Sequence, residues 1–208
     1  MDDPKHQRRL EIFNAAYQVL SEKGYKGTSM LAVAKAASAS NETMYNWFNN
    51  KQGLLAAMIE DNADKAGRFL SDSFSQQAIT STSQLAAKLE EFGDVLLRLL
   101  TSEKSVSLNR AAAADVANGN VLGDLLAENG RNKIMPLLAK FFEDAQQNGL
   151  IKQNDPREIA EVYIALLIGD VQIRRVIGVM NSPDPGNTKI HSQRVVELVL
   201  QLFGTGSN

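Results

Sequence analysis

The sequence predicts an all-α protein: a three-helix helix-turn-helix head over residues 1–51 and a second helical domain over 52–208, with about nine helices in all. Three observations carry this. Apolar residues recur at helical spacing along most of the chain. The stretch TSMLAVAKAASASNETMYNWFNNK, Thr28 to Lys51, reads as two short helices about a tight turn and the start of a third. Helix start and stop signals punctuate the rest, the clearest being Asp155-Pro156-Arg157-Glu158.

In order, the first helix runs from Lys5 to Lys23, with Leu10, Phe13, Ala16, Tyr17 and Leu20 as its core stripe. Lys23 in the last turn and Gly24 just past it are a stop signal. Thr28 is read as the N-cap of a second helix whose apolar face is Met30, Leu31, Val33 and Ala34. Ala37-Ser38-Ala39 forms the turn, and Ser40 caps a third helix from Asn41 to about Phe48. On that helix Met44, Tyr45 and Phe48 share the anchored face, while Glu42, Thr43, Asn46 and Trp47 fall elsewhere. A longer helix follows from Lys51 to about Phe74, then a polar loop, SQQAITSTS.

From Gln84 the pattern predicts further helices. One carries Leu85, Leu89, Phe92, Leu96, Leu97 and Leu100; a second spans Ser105 to Val116 and ends at Asn118-Gly119-Asn120. A third spans Gly123 to Asn148, with Pro136 expected to kink or break it. The helix opened by Asp155 is expected to run to about Met180, and the loop NSPDPGNT leads to a last helix with Val195, Val196, Val199, Leu200, Leu202 and Phe203. These last two helices are too apolar to be single-faced, so a homodimer interface built from both copies is expected to bury the excess.

A short helix with one face anchored and the other polar suits the DNA major groove. A structural hairpin with merely solvated residues shows the same spacing. Residues 1–51 hold seven basic against five acidic side chains, whereas the remainder holds fifteen against nineteen; the sign suits a head that touches phosphates, and ordinary scatter of surface charge gives the same difference. Lys5, Arg8 and Arg9 either reach phosphates or form a solvated helix end. Asn41, Glu42, Asn46 and Trp47 are the base-edge candidates, since Asn pairs with adenine, Glu accepts from cytosine and an apolar ring meets a thymine methyl. Trp47 reads equally as a partly buried wedge under Lys51.

From about Arg9 to Leu55 the chain resembles the DNA-binding domain of the TetR family of transcriptional regulators. The resemblance rests on G-Y-x-x-T-S from Gly24, V-A-x-x-A from Val33 and S-x-x-T-x-Y-x-x-F-x-x-K from Ser40 to Lys51. It implies that Thr28, Ser40, Thr43, Tyr45 and Lys51 lie at the DNA, with Thr28, Thr43, Tyr45 and Lys51 on its backbone; helix N-termini and hydroxyls suit phosphate. The chain departs from the family with Ser38 in place of a turn Gly, Glu42 in place of a small residue, and Leu31 and Ala32 where charge is common. From about Ser107 to Met180, above all in NGLI…DPREIAEVYIALLIGDVQIRRVIG, it is similar to the AefR-like type of TetR C-terminal domain. That likeness implies a dimer bundle of the two C-terminal helices and an effector pocket among the middle ones. Phe69, Phe92, Leu96, Arg110, Phe141 and Phe142 are its candidate lining, with plain core packing as the alternative for each aromatic.

Other classes find little support. Cysteine is absent, which removes disulfides, thiolate zinc sites and Cys nucleophiles and fits a reducing cytoplasm. The opening MDDPKHQRR has no apolar core and does not read as a secretory signal. The longest apolar run, Val162 to Gly169, is far below the roughly 18 residues of a membrane span. His6 and His191, the two histidines, lack a nucleophile or metal partner nearby in sequence, and neither a Gly-rich phosphate loop nor H-E-x-x-H occurs. No cofactor is expected. The chain therefore reads as a cytoplasmic, non-enzymatic, ligand-released repressor that binds a pseudo-palindromic operator as a homodimer. The alternative is a helical small-molecule binding protein that no longer binds DNA, favoured by Glu42 and the net charge of −2.

Overall fold

The computed structural model describes residues 3–75 and 79–206, without the side chains of 65, 66, 68–75 and 118. Among the described residues it contains eleven α-helices: α1 (Pro4–Gly27), α2 (Met30–Ala36), α3 (Asn41–Phe48), α4 (Lys51–Ser75), α5 (Thr82–Thr101), α6 (Glu103–Asp115), α7 (Val121–Asn129), α8 (Arg131–Gln147), α9 (Pro156–Ile168), α10 (Val171–Val176) and α11 (Pro185–Phe203). A 3-10 turn, Val116–Asn118, extends α6. Two expected helices are each interrupted, which raises the number from nine. The expected break at Pro136 falls instead at Gly130, and Pro136 stands in the second turn of an intact α8. The helix from Asp155 ends not near Met180 but at Gly169, whose φ of 47° leaves the right-handed helix, and α10 restarts beyond it. The last helix begins inside the expected loop, because Asp184 accepts from the Gly186 N–H and Pro185 pre-sets the first turn.

The chain divides into two compact units. The first comprises 1–63 and Glu103–Asn129, the second Asp64–Ser102 and 130–208. The predicted head thus lies in a unit that also takes in the first half of α4 and all of α6 and α7. In its core Ile12, Phe13, Ala16 and Leu20 of α1 meet Met30 and Val33 of α2, Met44 and Phe48 of α3, and Leu54, Leu55 and Met58 of α4. Leu108, Ala111, Ala112 and Leu122 complete it from α6 and α7.

The second unit buries Leu85, Leu89, Phe92, Leu96 and Leu97 of α5 with Phe141 and Phe142 of α8, Tyr163 and Leu167 of α9, and Val195, Val196 and Val199 of α11. A polar seam fixes how these helices meet. The Tyr163 hydroxyl donates to the Leu89 carbonyl at 2.6 Å, and Ser192 donates to the Glu90 carbonyl at 2.8 Å. Gly93 makes this approach possible: a Cβ there would lie 2.2 Å from Ser192 Oγ and 2.7 Å from the Tyr163 hydroxyl.

Candidate nucleic-acid interface

Each short helix of the head begins on a serine. Ser29 Oγ accepts from the Ala32 N–H and Ser40 Oγ from the Thr43 N–H, so one free donor at each helix start is satisfied. The expected N-cap at Thr28 is therefore corrected to Ser29. Thr28 closes α1 instead: its hydroxyl donates to the Gly24 carbonyl at 2.8 Å, and only 2 % of the residue is exposed. Ser29 is the exposed hydroxyl at this helix start. Gly24, the expected stop of the first helix, is where its path breaks, at φ 65° and ψ 179°.

The turn between α2 and α3 holds Ser38 at φ 49°, a left-handed conformation that costs a non-glycine residue about 1–2 kcal/mol. Arg8 braces it. One guanidinium nitrogen donates to the Ala37 carbonyl at 3.0 Å and to the Ser38 carbonyl at 2.8 Å, and the other pairs with Glu11. The structure gives Arg8 a further role beside the two expected for it, phosphate contact or solvated end: a single guanidinium nitrogen bridges the carbonyls that end α2.

α3 is anchored by Met44 and Phe48, both buried. Asn41, Glu42, Tyr45 and Asn46 are exposed, and Thr43 and Trp47 are half-buried. Two expectations about faces are corrected. Tyr45 does not join the anchored face but is 55 % exposed, and Leu31 is 65 % exposed instead of packing beneath α2. The i,i+4 pair Met44 and Phe48 suffices to hold so short a helix, so Tyr45 is free to face outward. Thr43 Oγ1 lies 2.9 Å from Ser40 Oγ, making the two hydroxyls a joint feature of the α3 start.

Trp47 packs edge-on to Phe48, and the Lys5 ammonium lies 6.0 Å from its ring centroid. Its cationic neighbour is thus Lys5. Lys51 instead donates to the Tyr25 carbonyl at 3.0 Å and sits 3.9 Å from the Tyr25 ring centroid. The Tyr25 hydroxyl donates to Asp115 at 2.5 Å; burial, followed by this contact with the Asp115 charge, pushes the phenol up to about 12. Asp115 has no exposed surface, although it lies shallow in the unit. Burial disfavours its charge, but donors from Tyr25, the Leu122 N–H and Gln52, together with the Lys51 charge, outweigh that and hold the carboxyl below its usual range. Nothing in sequence spacing singled out Arg8–Ser38 or Tyr25–Asp115, which join residues 30 and 90 positions apart.

The effector candidates fall differently. Phe92, Leu96, Phe141 and Phe142 are brought into one buried cluster of the second unit, where Phe92 and Phe142 lie 5.9 and 6.2 Å from Tyr163 between ring centroids. Arg110 is exposed on α6 of the first unit. The Phe69 side chain lies outside the described residues. Among the described residues, no group of three His, Asp or Glu side chains is placed to hold a metal ion, and no helix is long and apolar enough to cross a membrane.

Comparison with known proteins agrees with this architecture. The family model for bacterial regulatory proteins of the tetR family matches residues 12–58, and that for the AefR-like transcriptional repressor C-terminal domain matches 87–205, more than half of the chain. The chain is 26 % identical over 162 residues to the HTH-type transcriptional regulator YvkB of Bacillus subtilis, covering 76 % of this chain and 78 % of that one. It is 29 % identical to YdeS of the same organism, covering 80 % and 77 %. Among solved structures, a TetR transcriptional regulator from Agrobacterium tumefaciens superposes with a TM-score of 0.76 at 29 % identity, over 96 % of this chain and 95 % of that one. The fatty acid degradation regulator FadR of Bacillus halodurans shares the fold, with a TM-score of 0.73 at 18 % identity over 96 % of each chain.

Proposed function

The chain belongs to the TetR family of bacterial transcriptional regulators, with an AefR-like C-terminal domain, and we propose that it is a cytoplasmic homodimeric repressor that leaves a pseudo-palindromic operator when a small molecule binds. The observation that carries this is α3: a serine-capped helix, clamped on Met44 and Phe48, that turns Asn41, Glu42, Tyr45 and Asn46 outward.

In this reading α3 enters the major groove. Asn41 and Asn46 read adenine edges, Glu42 accepts from cytosine, and Trp47 supports the helix through Phe48. Ser29, Ser40, Thr43, Tyr45 and Lys51 take phosphates; such contacts set register without reading sequence. Two heads read half-sites a whole number of helical turns apart. The dimer forms through α9 and α11, which pack on each other and leave Leu166, Ile190, Leu198 and Leu202 exposed. An apolar effector enters among the middle helices near Phe92, Leu96, Phe141 and Phe142, and lowers DNA affinity only by the difference in its own affinity for the two states. No catalytic step belongs to this account.

Selection from a random duplex library with the full-length protein tests it. The expected product is an inverted repeat whose half-sites are spaced by whole turns. A pool that stays random after successive rounds favours a helical small-molecule binding protein without operator recognition.

A further inference from the structure

Asp115 ends α6 with its carboxylate wholly covered, and three donors converge on it. The Tyr25 hydroxyl and Gln52 Nε2 donate to Oδ1 at 2.5 and 3.2 Å, and the Leu122 N–H donates to Oδ2 at 3.2 Å. These donors come from different parts of the first unit: the end of α1, the first turn of α4 and the start of α7. A buried carboxylate so surrounded keeps its charge, and that charge acts on the ring whose hydroxyl it receives. The same ring carries Lys51, 3.9 Å from its centroid, while Lys51 Nζ donates to the Tyr25 carbonyl. A phenol drawn toward a carboxylate has a more electron-rich face, which strengthens its hold on a cation.

We propose that Asp115 is a positioning residue for DNA binding: through Tyr25 it fixes the Lys51 ammonium at the start of α4, so that α6 sets the readiness of a phosphate contact it does not touch. The proposal rests on the DNA-binding reading above. Of the three ammonium donors the Tyr25 carbonyl takes one and the Tyr25 ring face engages another, which leaves one for a phosphate. A lysine held this way has lost its rotamer freedom before DNA arrives, and the affinity gained is the ordering cost avoided.

The test is a double-mutant cycle on the full-length protein, read as affinity for a labelled duplex from the selected pool and for a labelled mixed-sequence duplex. Asp115→Asn keeps the size and an acceptor but removes the charge. It should weaken binding about three- to tenfold when Lys51 is present, and less than about twofold in a Lys51→Met background, because groups acting through one another are not additive. Tyr25→Phe, which keeps the ring and removes only the hydroxyl, should show the same dependence and decides the matter if Asp115→Asn fails to fold. Equal losses in both backgrounds, or no loss in a folded variant, overturn the role of Asp115 alone. A wild-type protein that binds neither duplex overturns the DNA-binding reading and this proposal with it.

Discussion

Replacing Arg8 with Met removes the brace on the turn between α2 and α3 while keeping most of the aliphatic stem. Two hydrogen bonds from a charged donor to the Ala37 and Ser38 carbonyls are lost. Such bonds contribute about 1.5–3 kcal/mol each when fully buried. The Arg8 side chain is 36 % exposed, so solvent screening brings the pair down to about 2–3 kcal/mol in total. The exposed ion pair with Glu11 adds at most about 1 kcal/mol. For a protein of this length, about 2 kcal/mol lowers the melting temperature by roughly 4–8 °C. Thermal unfolding followed by circular dichroism measures it, with DNA affinity at two salt concentrations measured in parallel. The melting temperature should fall by that amount, affinity should drop because the angle of α3 is no longer braced, and the salt slope should stay as in the wild type. Arg8→Lys should rescue only in part, since one ammonium nitrogen can donate to both carbonyls but lacks the second nitrogen that pairs with Glu11. An unchanged melting temperature together with a salt slope reduced by about one would refute the brace and make Arg8 a phosphate contact.

Three further outcomes are expected. Gly93→Ala drives a methyl group to 2.2 Å from Ser192 Oγ and 2.7 Å from the Tyr163 hydroxyl, so calorimetry should show the second unit destabilised by about 1–3 kcal/mol; a neutral result would mean that α5 shifts without cost. The Tyr25 phenol, raised to about 12 from an ordinary value near 10, stays protonated in the fold, so the stability it contributes is fully present below pH 10 and is lost between pH 10 and 12. Ultraviolet titration of wild type minus Tyr25→Phe should place that ionisation near 12, and a midpoint near 10 would show that Asp115 does not hold the phenol. Lys51→Ala should weaken binding to all duplexes and reduce the salt slope by about one, whereas Asn46→Ala should change preference among operator variants; a uniform loss for Asn46→Ala would assign it to positioning.

Much of this molecule was legible in local sequence, because caps and stops act within a few residues. Ser40, Asp155 and the Asn118-Gly119-Asn120 stop lie where propensity places them. Features that depend on packing between helices are not legible there. Thr28 has the chemistry of a cap, and the tertiary setting moves the cap to Ser29 by burying Thr28 against Gly24. A helical stripe about 100° wide admits Tyr45 and Leu31 on the inward face, whereas packing on Met44, Phe48 and Met30 leaves them outside. Pro136 was the stronger breaker by propensity, yet the second turn of α8 tolerates it while Gly130 takes the turn of the chain. The contacts that brace the first unit, Arg8 to Ser38 and Tyr25 to Asp115, join distant positions with no periodic signature, so only the folded chain reveals them.

Fluorescence anisotropy of the purified protein, with the selected duplex and a scrambled duplex of the same length at two salt concentrations, tests the central claim most directly. Tighter binding to the selected duplex that weakens as salt rises is the predicted result, since the proposed function combines base-edge readout by α3 with phosphate contacts. Equal affinity for both duplexes at both salt concentrations would contradict operator recognition by α3.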